Sequence, residues 1–86
     1  MKLKEGFVLK KIAGVCVAAA ADSALNLDGL ITLNDTAKTM WLLLADGAEL
    51  DDLVKALTDE YEVSEEMARK AAVQFVEKLK ELDILA

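Results

Sequence analysis

The sequence predicts an α+β fold in which three short antiparallel strands precede three helices. Apolar and polar residues alternate before Leu33, which is the pattern of a strand with one buried face. After Asn34 the apolar residues recur every three or four positions, which is the pattern of an amphipathic helix. Because 86 residues of which 55% are hydrophobic build one core, we expect a single domain over residues 1–86.

Two apolar stretches near the N-terminus predict a β-hairpin. The first strand is expected over Phe7–Ile12 and the second from Val15 to about Ala19. Ala13-Gly14 lies between them and has the length of a two-residue hairpin turn. The alanine-rich stretch over residues 18–24 is too short to nucleate a helix alone. We therefore interpret it as the end of the second strand and a loop.

A third strand is predicted over Leu27–Leu33. Its residues alternate between two faces, with Leu27, Ile31 and Leu33 on one and Asp28, Leu30 and Thr32 on the other. A strand that lies between a loop and a helix pairs with the hairpin along one edge only. We expect its other edge to keep unpaired backbone groups, which invite the addition of a further strand.

Capping residues predict where the three helices begin and end. Asn34 is the predicted N-cap of the first helix, because its side-chain oxygen accepts a hydrogen bond from a first-turn amide. Gly47 marks the end of that helix. The second helix is expected over Leu50–Tyr61, and the third, capped by Ser64, is expected to run to about Leu82.

The charge of the chain is concentrated in its middle. The net charge is −6, and residues 34–63 carry eight acidic residues against Lys38 and Lys55. Phosphate backbones bind basic surfaces, so nucleic acid is not expected as a partner. No apolar run approaches the roughly 20 residues that span a bilayer, so no membrane partner is expected either.

The residue types that carry most catalysis and metal binding are scarce. Histidine is absent and Cys16 is the single cysteine, which excludes His-based acid–base work, most zinc sites and an intrachain disulfide. We expect no catalytic residue, no metal and no cofactor. A lone cysteine fits a reducing compartment, and we expect a cytoplasmic protein. Residues 1–21 resemble a secretory signal, but cleavage there would remove two predicted strands.

The third helix carries more apolar surface than one core face needs. Val73 lies beyond the predicted core face and Val76 lies at its edge, and Arg69 and Lys80 flank both valines. The residues predicted to form that core face are Ala68, Ala71, Ala72, Phe75, Leu79 and Leu82. The two valines either cover the sheet or form an apolar shelf with a basic rim that is open to a ligand. The sequence leaves these two interpretations open.

The ordered set of residues around the first helix resembles the PqqD family, named after coenzyme PQQ synthesis protein D. The family pattern has a strand ending in Leu-Asn, a small residue, an apolar pair that includes Trp, and a closing Asp-Gly. A Leu-rich helix, acids that open the last helix and a C-terminal apolar pair follow. Where family members commonly have a Pro/Gly-containing loop, this chain has residues 18–24. The matching residues are Leu33-Asn34, Ala37, Met40-Trp41, Asp46-Gly47, Tyr61, Val63, Phe75 and Leu79.

The resemblance implies a winged helix-turn-helix-like domain that recognises peptides. Such domains bind the leader region of a ribosomally made precursor peptide and present it to a modifying enzyme, often a radical SAM enzyme. The leader adds as a strand to the third strand, in the cleft beside the third helix. On this basis the expected peptide-binding residues are Leu27, Asp28, Leu30, Ile31, Thr32, Leu33, Arg69, Val73, Val76 and Lys80. The same strand edge would also allow a homodimer.

Other classes of protein fit the sequence less well. A winged-helix DNA-binding regulator shares the fold but needs basic residues where residues 34–63 are acidic. An acyl carrier protein has an Asp-Ser-Leu that resembles Asp22-Ser23-Ala24, but it places that serine after a long first helix. A mass shift on Ser23 after treatment with a phosphopantetheinyl transferase would support that alternative. An enzyme lacks support, because the chain has no Ser/His/Asp set and no phosphate-binding loop.

Overall fold

The computed structural model describes residues 1–20 and 31–85. The chain forms β1 (Phe7–Ile12), β2 (Val15–Ala20) and β3 (Ile31–Leu33), and then α1 (Asp35–Asp46), α2 (Leu50–Glu60) and α3 (Glu65–Glu81). The strands build one antiparallel sheet in the order β1-β2-β3. The α+β class and the order of elements are therefore confirmed. The part of the predicted third strand before Ile31 lies outside the described residues.

The β1–β2 hairpin closes with the two-residue turn that its sequence predicts. Ala13 and Gly14 have φ angles of 52° and 82°, the left-handed values that match the twist of the flanking strands. Ile12 pairs with Val15 directly after the turn, and the register continues to Phe7 opposite Ala20. The turn thus fixes which backbone groups of β2 face β1 and which face β3.

Helix α1 begins at the predicted cap. The Asn34 side-chain oxygen accepts hydrogen bonds from the backbone N–H of Ala37 at 2.9 Å and from the hydroxyl of Thr36 at 3.0 Å. At the other end Gly47 has a φ of 102°, and its N–H donates to the Leu44 carbonyl. Because the cap directly follows β3, the last strand and the first helix meet at a sharp corner.

Replacing Asn34 by Ala should lower the free energy of unfolding by about 1 kcal/mol, the usual cost of losing an N-cap acceptor. Asn34→Asp keeps an acceptor oxygen and should be nearly neutral. Urea unfolding followed by circular dichroism measures both values. Equal losses in the two variants would mean that the hydrogen bond to the Ala37 N–H contributes nothing.

The core lies between the sheet and the three helices. On the sheet side the Phe7 ring meets the Trp41 ring edge-on, with 6.2 Å between their centroids. The alternation predicted for the end of the third strand is confirmed, because Ile31 and Leu33 are buried and Thr32 is exposed. The fully buried large side chains come from all three helices, and they are Leu44, Leu53, Leu57 and Leu79.

The two ends of the chain hold each other against the core. The Leu3 N–H donates to the Leu44 carbonyl at 3.0 Å, and the Lys4 N–H donates to the Ile84 carbonyl at 2.8 Å. Leu3 also forms an antiparallel bridge with Leu85. These contacts lie at the C-terminal ends of α1 and α3, so they do not cover the corner between β3 and α1.

Candidate functional site

The outer edge of β3 offers backbone hydrogen-bonding groups. Ile12 and Val15 flank a two-residue turn and so exchange hydrogen bonds with each other, and every second pair along the hairpin does the same. Cys16 and Ala18 therefore turn their N–H and C=O groups towards β3. Their partners are Leu33 and Ile31. It follows that Thr32, which lies between these two residues, directs its N–H and C=O away from β2.

No strand in the described part of the chain pairs with this outer edge of β3. Among residues 1–20 and 31–85, the Thr32 backbone groups therefore have no strand partner on this side. The side chains of β3 point to opposite faces of the sheet: Ile31 and Leu33 point into the core, and Thr32 points away from it. A strand added here would continue the sheet above the same helices that cover β3.

A groove lies next to the end of β3, between the start of α1 and one flank of α3. Its cavity volume is about 250 Å³. Its floor is apolar and its rim is polar, which suits a peptide side chain that enters from the sheet edge. From the β3–α1 corner it is lined by Asn34, Thr36, Ala37 and Met40, and from α3 by Ala71, Gln74, Phe75 and Lys78.

The predicted binding residues of α3 lie on a different flank of that helix. At about 100° per residue, Ala71 and Val73 are about 200° apart around the helix axis. Ala71 lines the groove beside β3, whereas Val73 does not. Val76 is 6% exposed and belongs to the core, so it is not part of an open shelf. The shelf predicted from Val73 and Val76 therefore does not face β3.

Arg69, the predicted basic rim, instead joins α3 to α2. Its guanidinium group donates to the Asp51 carboxylate at 3.2 Å and lies 3.7 Å from the Glu65 carboxylate. Arg69 and Asp51 also line a separate groove between α2 and α3. Lys80 is exposed and lies on the same flank of α3 as Arg69 and Val73. The predicted basic rim therefore lies on the flank of α3 that faces α2, away from the groove beside β3.

The flank that faces β3 has a sequence signal of its own. Ala71, Gln74, Phe75 and Lys78 follow the i, i+3, i+4, i+7 spacing of a single helical face. The sequence assigned Ala71, Phe75 and Leu82 to the core, but Ala71 is only half-buried and Leu82 is 49% exposed. The apolar stripe of α3 is therefore wider than the core needs, and this extra width is the sequence signal for the flank that faces β3.

The predicted residues of the third strand divide at the boundary of the described region. Leu27, Asp28 and Leu30 lie outside the described residues. Ile31 and Leu33 lie on β3 and face the core, and Thr32 lies between them with its backbone directed outward.

Two observations concern other kinds of site. Among residues 1–20 and 31–85, no group of three or more His, Cys, Asp or Glu residues is placed to hold a metal ion. In the same part of the chain, no helix is long and apolar enough to cross a membrane.

The geometry described so far is that of a small domain with an open sheet edge beside a helix. The sequence model described as "Coenzyme PQQ synthesis protein D (PqqD)" matches residues 24–85, which is most of the chain. The protein therefore belongs to the PqqD family. Comparison with curated protein sequences gives no significant match.

Two solved structures share the fold. One is described as "TbiB1 in Complex with the TbiA(beta) Leader Peptide"; it is 22% identical, has a TM-score of 0.76, and the alignment covers 99% of this chain and 94% of that one. The other is described as "Lasso peptide synthetase B1 complexed with the leader peptide"; it is 28% identical, has a TM-score of 0.71, and the alignment covers 93% of this chain and 89% of that one.

Proposed function

We propose that this protein binds the leader region of a ribosomally made precursor peptide and presents it to a modifying enzyme. The observation that carries the proposal is the outward-facing Thr32 backbone beside the groove formed with α3. Membership of the PqqD family supports it, as do two similar structures whose descriptions name leader peptides. The protein itself performs no chemistry and carries no metal or cofactor.

The leader binds as a strand added to the outer edge of β3. One of its residues exchanges backbone hydrogen bonds with Thr32, and we propose that the bonds continue at Leu30 and Asp28, with Leu27 beside them at the start of the same predicted strand. Successive side chains of the added strand point to opposite sides. Those on the helix side enter the groove and contact Ala71 and Phe75. Backbone pairing supplies affinity, and the groove supplies selectivity.

The modifying enzyme is proposed to be a radical SAM enzyme, as the family resemblance implies, and the pair is proposed to act in the cytoplasm. Two copies of the protein could also pair through their β3 edges. Since leader and second copy would then compete for Thr32, adding peptide should convert any dimer into a monomer.

The charge of α3, the helix that would enter the major groove of DNA, does not support a DNA-binding role. The exposed residues of α3 include four acids and four bases, so the helix has no net charge. Basic residues that neutralise phosphates are the main source of affinity for DNA. The α3 surface therefore lacks the property that a recognition helix needs.

The proposal is tested by selecting binders from a display library of random 15-residue peptides and titrating one of them into isotope-labelled protein. The expected affinity is roughly micromolar, because the interface is short. Backbone amide shifts and new protection from exchange should concentrate at Ile31–Leu33 and at residues 71–78 of α3. Shifts confined to Leu50–Glu60 would contradict this mode of binding even if the peptide bound tightly.

A further inference from the structure

A second groove lies on the other side of the β3–α1 corner, beneath the tip of the hairpin. Its volume is about 490 Å³. Lys11, Val15 and Cys16 line it from the hairpin, and Asn34 and Lys38 line it from the corner and from α1. We call it the hairpin groove.

The hairpin groove carries positive charge on an acidic protein. Lys11 and Lys38 line it together with one acid, Asp35. In the described part of the chain, Lys4 and Arg69 form ion pairs with carboxylates outside this groove. No carboxylate in that part lies within 4.0 Å of Lys11 or Lys38. The start of α1 adds the positive end of its helix dipole. A negatively charged ligand group is therefore favoured here, although the protein as a whole carries −6.

The position of the hairpin groove connects it to the open edge of β3. The pairing of β2 with β3 ends at Cys16 and Leu33, and the groove begins at these residues. An added strand advances about 3.3 Å per residue. A strand that pairs with Thr32 therefore comes to this end of the sheet within about two residues, and its next residues would have to cross the β3–α1 corner to enter the groove.

We propose that the hairpin groove receives an Asp or Glu side chain of the bound leader. This inference rests on the proposed strand addition and specifies one chemical feature of the peptide. The carboxylate lies between the ammonium groups of Lys11 and Lys38, and Val15 provides an apolar wall beside them. Long lysine side chains adjust to either acid, so the groove selects charge rather than one residue type.

Display selection with charge-reversed variants tests the inference. The Lys11→Glu/Lys38→Glu double variant reverses the groove. The matched control, Lys10→Glu/Lys55→Glu, changes the net charge equally but places the new acids elsewhere, since Lys10 lies on the opposite face of the sheet from Lys11 and Lys55 lies on α2. All four lysines are exposed, so the fold should survive, and circular dichroism checks it.

The wild-type protein and the control should select peptides with Asp or Glu at one fixed position, and the reversed variant should select Lys or Arg there. Changing that acid to its amide in one selected peptide should weaken binding to the wild type about fivefold, the upper range for an exposed ion pair. Peptides that shift Ile31–Leu33 but show no preference for acids would overturn this inference alone. Peptides that leave Ile31–Leu33 unshifted would overturn the proposed function itself.

Discussion

A Thr32→Pro variant should fold normally and bind the peptide at least about tenfold more weakly. The substitution removes the outward N–H of residue 32 and places the pyrrolidine ring where that N–H was. Proline is tolerated on an edge strand where its N–H side faces solvent. Thr32 satisfies this condition, since its neighbours Ile31 and Leu33 make the bonds to β2. A proline at this position also keeps Ile31 extended, which is its conformation in β3.

Two matched variants separate the backbone effect from other effects. Thr32→Val keeps the N–H and removes the hydroxyl, and it should bind the peptide as the wild type does. Leu33→Pro removes an N–H that faces β2, and it should lower the stability of the protein. Fluorescence anisotropy with a labelled selected peptide gives the affinities, and thermal unfolding gives the stabilities. Wild-type affinity in Thr32→Pro would rule out strand addition at this edge.

The corner between β3 and α1 was predictable from the sequence because its signals are local. The Asn34 cap bonds to Ala37 three residues away, and the turn at Ala13-Gly14 needs only the conformations of its own two residues. Such contacts depend on sequence neighbours, so a single chain displays them. The boundary at Glu60, one residue before the predicted end, follows from the extended backbone of Tyr61.

The flank of α3 that lines the groove beside β3 was not predictable, because its position depends on contacts between distant parts of the chain. Periodicity places residues around a helix axis but does not say which neighbour lies on which side. Arg69, for example, bonds to Asp51, which is 18 residues away on α2, so this flank of α3 faces α2. Ala71 was assigned to the core because a small apolar side chain fits either a core or the floor of a groove. The order of the elements was enough to predict the strand edge, whereas predicting the groove also requires knowing how the elements pack against each other.

An Ala71→Phe variant should bind the selected peptide at least about tenfold more weakly, a loss of about 1.4 kcal/mol, because its ring occupies the space that a peptide side chain would enter. Val73→Phe is the matched control, since it makes a comparable enlargement on the flank that faces away from β3. Its affinity should stay within about twofold of the wild type, which is less than 0.5 kcal/mol. The comparison thus assigns the binding flank directly.

Gln74→Trp adds a second test in case the Ala71→Phe ring strains the core, which typically costs about 1–3 kcal/mol. Gln74 is exposed at the same groove, so a larger side chain there need not displace buried atoms. Anisotropy with the labelled peptide measures affinity in all three variants, and urea unfolding shows whether the fold is kept. If Val73→Phe weakened binding while Ala71→Phe and Gln74→Trp did not, the peptide would lie on the flank of Arg69 and Lys80, and the groove beside β3 would not be its site.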